Sequence, residues 1–369
     1  MKLEFKEQLL SIVKQFKIDA TPINVNEIIS GHINGTYVVE CADASNKYIL
    51  QKVNIGIFKN YDGLMNNIEI LTSFLRDKYT RMGYEDSDRR TLHIIRTLRD
   101  NALYHVDEYG FVWRMYDFIY GATCYQKVES ADMFKKVGAA FGGFQRDLAD
   151  FDASKLVETI PNFHNTVDRF EKLMISIKAD KANRLSSVID EVKFVLERKA
   201  LCSYIVDRIA NGILPLRVTH NDTKLNNIMI DDVTGEGICV IDLDTVMPGS
   251  VLYDFGDSIR FGASSAAEDE TDLEKVFMRE EMFSAFADGF VNALNGALST
   301  EEILDLPIGA IIITLETGMR FLTDYLDGDI YFRTEYPGHN LDRARNQFKL
   351  VSDMESKIDI MKETVKKYI

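Results

Sequence analysis

Acidic and amide side chains occur in the middle of the chain at a spacing suited to chemistry on a phosphate. His220, Asp222 and Asn227 fit the pattern H-x-D-x-x-x-x-N, and Asp242 follows at the end of an apolar segment. Phosphoryl transfer needs an oriented hydroxyl and neutralised charge more than it needs covalent catalysis. The spacing therefore predicts that Asp222 accepts the proton of an acceptor hydroxyl. Asn227 and Asp242 are the predicted oxygen ligands of a Mg²⁺ ion.

Lys224 follows Asp222 closely, so that its charge could offset that of a moving phosphoryl group. Each of these residues also has a structural explanation, because packed histidines and solvated acidic turns are common. Their combined spacing favours the functional interpretation. The sequence contains no Gly-Lys pair for a Walker A loop, no G-x-S-x-G motif of a hydrolase and no H-E-x-x-H motif of a zinc protease. It therefore argues against these three enzyme classes.

The composition predicts a folded protein of two lobes without nucleic-acid or membrane partners. At 369 residues the chain exceeds the size at which a single hydrophobic core stops growing. A formal net charge of −15 at pH 7 opposes binding to a polyanion. The longest nearly apolar run, residues 306–315, is too short to span a bilayer, and the N-terminus lacks a secretory h-region. We therefore expect a cytoplasmic protein, and the sequence leaves its oligomeric state open.

The periodicity of apolar residues divides the chain into a mixed part and a mainly helical part. The mixed part contains a first helix, a hairpin, a second helix and two further strands, which are predicted at residues 1–18, Tyr37–Val39 with Tyr48–Leu50, Leu64–Leu75, Thr91–Arg99 and Tyr104–Tyr116. The rest is helical apart from a β-like stretch, residues 216–244. The sequence therefore predicts an α+β fold. Residues 1–117 form a small N-terminal antiparallel sheet lobe with a helix, residues 114–120 a hinge, and residues 118–369 a larger, mainly helical C-terminal lobe.

Three sequence motifs resemble those of the aminoglycoside phosphotransferase and choline kinase superfamily. They are HNDTKLNNIM, VIDLDTVMPG and YDFGDSIR, and their wording is similar to that of bacterial N-acetylhexosamine 1-kinases. The stretches SGHINGTY, YILQKVN, WRMYDFIYG and GMRFLTDYLDGDIYF extend the resemblance over most of the chain. The resemblance implies a protein-kinase-like two-lobed fold and an enzyme that uses ATP and Mg²⁺. The N-terminal lobe would bind the nucleotide, and the C-terminal lobe would carry catalysis and bind the substrate.

The resemblance also implies a turn over the nucleotide phosphates between the first two strands. Gly31, Gly35 and Thr36 lie at the corresponding place, although the segment departs from G-x-G-x-x-G and could be an ordinary hairpin turn. His32 and Asn34 in this segment are candidate contacts to substrate or phosphate.

The next strand departs from the family pattern at its phosphate-binding cation. Gln51 stands where Lys or Arg is expected, and Lys52 follows it on the opposite face of the strand. Either glutamine replaces the cation or a bulge turns Lys52 inward, and a solvated Lys52 is the structural alternative. Glu69 on the following helix is the expected partner of whichever residue faces inward. In the hinge, the resemblance implies that Met115, Tyr116 and Phe118 contact adenine.

The remaining candidates lie near the acceptor. Asp244 follows Asp242 by two positions and is expected on the same face of the strand. It is a candidate second metal ligand, sugar contact or loop anchor. Asp254 is expected to anchor the catalytic loop. Resemblance to sugar 1-kinases makes Arg320 and Tyr331 candidate sugar contacts. The structural alternative for Arg320 is a helical salt bridge four residues from Glu316 or Asp324.

The function that these motifs imply is transfer of the ATP γ-phosphoryl group to the anomeric hydroxyl of N-acetylglucosamine or N-acetylgalactosamine. One alternative is another small-molecule kinase of the same fold, acting on an aminoglycoside, an amino alcohol such as choline or ethanolamine, or a different sugar. A second alternative, a nucleotide-binding pseudokinase, is supported only by Gln51.

Overall fold

The computed structural model describes residues 3–28, 34–43 and 46–369. The chain forms two compact units, each made of several segments. The first consists of Met1–Thr123, Ser154–Pro161 and Met229–Met247, and the second of Cys124–Ala153, Asn162–Ile228 and Pro248–Ile369. The predicted functional boundary near residue 118 remains a prediction.

The first unit is built on a five-stranded antiparallel sheet with the strand order β1-β2-β3-β5-β4. Its elements are α1 (Leu3–Val13), β1 (Pro22–Ile28), β2 (Gly35–Cys41), β3 (Lys47–Val53), α2 (Tyr61–Arg81), β4 (His105–Val106), β5 (Val112–Asp117), β6 (Ala122–Thr123), β8 (Ile228–Asp231) and β9 (Gly237–Val240). The last three strands form a separate small sheet, β6-β8-β9.

Apolar residues of helix α1 bury one face of the large sheet. Leu9 and Val13 are fully buried in a cluster with Val39, Leu50 and Met115. Buried side chains alternate along β2 and β3, and the antiparallel pairing of these strands matches the hairpin that was predicted from two β-rich runs. Helix α2 begins where the Asn60 side chain accepts a hydrogen bond from the Gly63 N–H at 3.0 Å.

The prediction of a strand at Thr91–Arg99 was wrong. This segment forms only isolated bridges, from Ile94 to Tyr116 and from Thr97 to Phe16. The physical reason is a change of partner along the segment. The Ile95 N–H bonds to strand β5, whereas the Arg96 carbonyl accepts a hydrogen bond from Lys17, beyond helix α1. The segment therefore leaves one partner for the other before a ladder forms.

The second unit is mainly helical. Its elements are α3 (Ala131–Asp147), α4 (Thr166–Ala179), α5 (Ile189–Glu197), α6 (Lys199–Cys202), α7 (Tyr204–Ala210), β7 (Arg217–Thr219), β10 (Met247–Gly249), α8 (Val251–Gly262), α9 (Glu280–Leu294), α10 (Thr300–Asp327), α11 (His339–Ser356) and α12 (Ile358–Lys366). The helical pattern at residues 188–209 therefore corresponds to three short helices. Together with the antiparallel sheet, these helices confirm the predicted α+β fold class.

Helix α10 is the central helix of the second unit. Ser299 and Glu302 form a capping box at its N-terminus, and Gly328 ends it with a left-handed φ of 102°. By length and composition this helix could cross a membrane. In the protein, 83% of its most apolar 18-residue stretch is buried, as in the core helix of a globular unit.

Candidate active site

The loop after strand β7 is anchored from helix α8. The Asp254 carboxylate accepts hydrogen bonds from the backbone N–H groups of His220 at 2.9 Å and Asn221 at 2.7 Å. Gln145 donates to the same carboxylate at 2.5 Å, and burial raises the pKa of Asp254. These contacts confirm the predicted anchoring role of Asp254.

Asn221 directs the chain into Asp222 through a left-handed backbone conformation. Its φ is 65°, a region that asparagine tolerates better than most residues other than glycine. His164 holds the same residue, because its Nε2 lies 3.1 Å from the Asn221 carbonyl oxygen. The other ring nitrogen of His164 lies 2.8 Å from Oε1 of Glu316 on helix α10. A chain of polar contacts therefore joins helix α10 to the residue before Asp222.

Asp222, Lys224 and Asn227 lie together in the second unit. Lys224 Nζ is 2.7 Å from Asp222 Oδ1, and Asn227 Nδ2 donates to Asp222 Oδ2 at 3.1 Å. Burial alone would raise the pKa of Asp222, but Lys224, His220 and Asn227 hold it below its ordinary value. The carboxylate is therefore ionised at neutral pH, as a proton acceptor requires.

The charge of Lys224 is supported by two carboxylates, Asp222 in direct contact and Asp257 through its charge. Burial alone would lower its pKa, but Asp222 and Asp257 raise it, so the side chain stays charged. Asp257 is in turn paired with Arg260, whose Nη2 lies 2.9 Å from Asp257 Oδ1. The Lys224 charge is thus available beside the predicted base.

Replacing Lys224 by Met should lower kcat at pH 7.5 by about 10²-fold, the usual cost of losing one preorganised charge. It should also move the acidic limb of the kcat/KM profile to higher pH. Without the lysine, burial dominates and the pKa of Asp222 rises, so a proton occupies the base at a pH where the wild type is ionised. Rate profiles at saturating Mg²⁺ would show the shift. Lys224→Arg keeps the charge and is the control, and an unmoved limb in Lys224→Met would contradict this role.

In the first unit, Asp242 and Asp244 follow strand β9. Asp242 has a left-handed φ of 57°. Asp244 is 2% exposed and binds Arg114 of strand β5 through both carboxylate oxygens, at 2.6 and 2.9 Å. Asn34 Nδ2 donates to Asp244 Oδ2 at 2.6 Å, and Thr159 Oγ1 donates to the Asp244 carbonyl oxygen at 2.7 Å. Of the three roles considered for Asp244, these contacts favour the loop anchor.

Gln51 and Lys52 lie on opposite faces of the sheet. The register of β2 with β3 is continuous from Gly35–Lys52 to Glu40–Lys47, so no bulge turns Lys52 inward. Gln51 Nε2 donates to Thr36 Oγ1 at 3.0 Å. Lys52 Nζ instead lies 3.0 Å from the centroid of the Phe111 ring. Gln51 is therefore the residue on the face that carries Thr36.

Glu69 does not pair with Gln51 or Lys52, contrary to the expectation from the sequence. Its carboxylate forms a salt bridge with Arg96. The physical reason is that Lys52 lies on the other face of the sheet, over Phe111, whereas the permanently charged Arg96 guanidinium reaches helix α2.

The other nucleotide candidates are placed as follows. Gly31 and His32 lie outside the described residues. Met115 and Tyr116 are buried in strand β5, and burial raises the pKa of Tyr116. Phe118 follows the strand, with its ring 5.0 Å from that of Tyr120 and 5.6 Å from Lys47 Nζ.

The donor chemistry of Asn227 and Asp242 suits Mg²⁺. Asn227 turns its amide nitrogen toward Asp222, which leaves its side-chain oxygen as the acceptor. Within residues 3–28, 34–43 and 46–369, no group of three or more His, Cys, Asp or Glu side chains could hold a metal alone. Magnesium in phosphoryl-transfer enzymes is commonly bound by one or two carboxylates together with substrate phosphates. Asn227 in the second unit and Asp242 in the first unit each carry an oxygen of the kind that Mg²⁺ binds.

Arg320 lies on the helix that is joined to the catalytic loop. In the part of the chain that the structure describes, its guanidinium forms no salt bridge and lies 5.5 Å from the centroids of Phe163 and Phe332. The helical salt bridge proposed as its alternative role is absent there, since Glu316 binds His164 and Thr166. Burial and, after it, the positive charge of Arg320 hold the pKa of Arg169 below its ordinary value.

Asp324, the second carboxylate near Arg320 on this helix, fixes the following loop. It accepts hydrogen bonds from the N–H groups of Ile330 at 2.9 Å, Tyr331 at 2.8 Å and Phe332 at 2.9 Å. Tyr331 is 58% exposed, and its ring centroid is 4.7 Å from that of Phe332. Arg320 and Tyr331 thus both contact Phe332.

Comparison with known proteins places this fold among phosphotransferases. Three similar solved structures are an aminopropanol kinase associated with a microcompartment (15% identity over 96% of this chain and 98% of that chain, TM-score 0.60), a choline kinase from Cryptosporidium parvum Iowa II (15%, 96% and 96%, 0.62) and a spectinomycin phosphotransferase solved with ADP and spectinomycin (13%, 96% and 98%, 0.51). At these identities the likeness shows a shared protein-kinase-like fold. The sequence pattern of the phosphotransferase enzyme family (APH) matches residues 25–282, well over half of the chain. The protein therefore belongs to the phosphotransferase enzyme family.

Proposed function

We propose that this phosphotransferase is an ATP- and Mg²⁺-dependent kinase that phosphorylates the anomeric C1 hydroxyl of N-acetylglucosamine or N-acetylgalactosamine. The observation that carries the choice of acceptor is the surroundings of Arg320. Phe163 lies beside the Arg320 guanidinium, and the next residue, His164, contacts the carbonyl group of Asn221 in the catalytic loop. A permanent positive charge with aromatic neighbours is therefore linked, through Phe163 and His164, to the residue before the predicted base in the same unit.

This charge disfavours a cationic acceptor. An amino alcohol or an aminoglycoside would meet Arg320 and Arg169, and like charges without compensation oppose binding. Glu316 and Asp324 keep their negative charge, but their oxygens are occupied by His164 and by three backbone N–H groups, so neither is presented to an acceptor as a direct partner for an ammonium group. Sugar hydroxyls and the carbonyl oxygen of an N-acetyl group are acceptors that a guanidinium can bind.

Asp222 is the proposed base, and Lys224 the proposed charge that offsets the moving phosphoryl group. An anomeric hydroxyl is more acidic than other sugar hydroxyls, so a single ionised carboxylate suffices to orient and accept its proton. Asn227 and Asp242 would hold Mg²⁺, which neutralises phosphate charge when bound. The other acceptor-side candidates are His32 and Tyr331, whereas Asp244 is taken as the loop anchor and Asn34, which donates to it, as a phosphate-side contact.

Nucleotide binding is assigned to residues 1–117 and the adjoining hinge. The proposed contacts in this lobe are Gly31, Gly35, Thr36, Gln51, Met115, Tyr116 and Phe118. Lys52 and Glu69 are less favoured, because the first lies on the other face of the sheet and the second is paired with Arg96.

A panel of acceptors tests this proposal. The purified protein is incubated with Mg-ATP and a series of N-acetylhexosamines, neutral hexoses, amino alcohols and aminoglycosides, and ADP release is followed. We expect the highest kcat/KM with N-acetylhexosamines. Preferred turnover of an amino alcohol or an aminoglycoside would replace the sugar assignment, and nucleotide binding without turnover of any acceptor would favour a pseudokinase.

Replacing Arg320 by Ala should raise the KM for the sugar by about 10- to 100-fold, the range expected for a lost charge-assisted hydrogen bond. The KM for ATP should stay nearly unchanged, because the lost contact concerns only the acceptor. Arg320→Lys keeps the charge without the planar fork of the guanidinium. Its KM for the sugar should lie between those of the wild type and Arg320→Ala. Equal increases in both KM values would contradict a sugar contact.

A further inference from the structure

Three side chains form a row across one face of the large sheet. Thr36 of β2 lies opposite Gln51 of β3, and Gln51 lies opposite Arg114 of β5. Directly opposite residues in antiparallel strands share a face. The row is hydrogen-bonded throughout, because Arg114 Nε donates to Gln51 Oε1 at 3.0 Å and Gln51 Nε2 donates to Thr36 Oγ1 at 3.0 Å. A guanidinium therefore lies beside the position where the family pattern places a lysine or arginine on β3.

Arg114 is an unusual residue for this position. It is 1% exposed, in a strand whose neighbouring residues are also buried. Burying an ion pair costs desolvation of both charges, and apolar side chains of similar volume often give equal or greater stability. The stability of strand β5 therefore does not explain an arginine at this position. A functional need for a positive charge would explain it.

The partners of Arg114 show which groups its charge holds in place. Both oxygens of Asp244 accept hydrogen bonds from its two terminal nitrogens, and Asp244 closely follows the predicted metal ligand Asp242. Asn34, immediately before strand β2, donates to the same carboxylate, and its own Oδ1 accepts the Asn54 N–H at 2.9 Å. One guanidinium thus fixes the segment after β9 and, through Asp244, the residue that leads into β2.

We propose that Arg114 is a positioning residue of the nucleotide site. It supplies from strand β5 the buried positive charge that Gln51 does not supply from β3, and it holds Asp244 and Asn34 in their binding geometry. This inference rests on the proposed binding of Mg-nucleotide but is independent of the acceptor.

The affinity for MgADP, measured by calorimetry without any acceptor, tests this role. Arg114→Gln removes the charge. The double variant Gln51→Lys with Arg114→Gln returns a cation to β3, where it can again pair with Asp244. Arg90→Gln, which removes a guanidinium from a salt bridge to Asp86 in the same unit, is the control. Thermal unfolding midpoints of all variants report the cost to folding separately.

We expect Arg114→Gln to raise the Kd for MgADP by about tenfold or more. The double variant should recover most of this loss, and Arg90→Gln should bind as the wild type does. Wild-type affinity of Arg114→Gln beside a lowered unfolding midpoint would reduce Arg114 to a structural residue. A double variant that regains the midpoint but not the affinity would also overturn the proposal.

Arg114→Lys covers the case in which Arg114→Gln does not fold. A lysine keeps the charge but cannot bind both oxygens of Asp244 as a fork. We expect its Kd for MgADP to rise several-fold, and an unchanged Kd would again overturn the positioning role. Failure of the wild type to bind MgADP would instead refute the proposed function.

Discussion

Replacing Asp222 by Asn should lower kcat by about 10²- to 10⁴-fold, the range that a general base contributes. The amide has the shape of the carboxylate but cannot accept a proton. In the structure the Asp222 carboxylate forms an ion pair with Lys224 and accepts a hydrogen bond from Asn227, and it is ionised at neutral pH. The affinity for MgADP should remain close to that of the wild type.

Single-turnover kinetics and calorimetry separate the two expectations for Asp222→Asn. Asp132→Asn is a suitable control, because it makes the same chemical change at an exposed position of the second unit. An Asp222→Asn variant that retains most of its kcat would remove Asp222 from the role of base.

Replacing Asp242 by Asn should lower kcat by about 10²- to 10³-fold, as expected for loss of a preorganised electrostatic contact. It should also raise the Mg²⁺ concentration that gives half-maximal rate. Asparagine is the better substitution because Asp242 has a φ of 57°, a conformation in which alanine would be strained. The loss of kcat then reflects the missing negative charge of the metal ligand, with little contribution from backbone strain.

A Mg²⁺ titration of the rate distinguishes the two predicted ligands. Asn227→Ala removes a neutral oxygen and should be less severe than either Asp242→Asn or Asp242→Ala, because the carboxylate contributes the charge. An unchanged Mg²⁺ dependence in Asp242→Asn would mean that the metal is bound elsewhere.

The parts of the site that the sequence predicts are local in the chain. Asp222, Lys224 and Asn227 lie within one loop, so their spacing alone indicates that they can meet. The β2–β3 hairpin follows from two β-rich runs around a turn-prone segment, and helix α2 follows from apolar periodicity. Such patterns involve residues that are close in the sequence and are therefore also close in the folded structure.

The contacts that the sequence did not predict join distant segments. Arg114 and Asp244 are 130 positions apart, and His164 and Glu316 are 152 apart. Alternation along β5 places Arg114 on one of two faces, but only the register with β3 shows that it lies opposite Gln51. A charged residue among the buried positions of strand β5 was the available signal of a special role.

Arg320 illustrates why a local rule can fail. The spacing of Glu316, Arg320 and Asp324 satisfies the helical salt-bridge pattern. In the fold, His164 and Thr166 take up Glu316, and the backbone of residues 330–332 takes up Asp324. Buried acceptors bind whichever donors tertiary packing supplies, so competition among partners overrides helical proximity.

The position of the transferred phosphate tests the central claim most directly. With N-acetylglucosamine or N-acetylgalactosamine as acceptor, NMR should show the anomeric proton split by phosphorus and the reducing end lost, because phosphate at C1 locks the anomeric carbon. A product phosphorylated at C6, which leaves the sugar reducing, would contradict the account. So would the absence of turnover with both sugars beside rapid turnover of an amino alcohol.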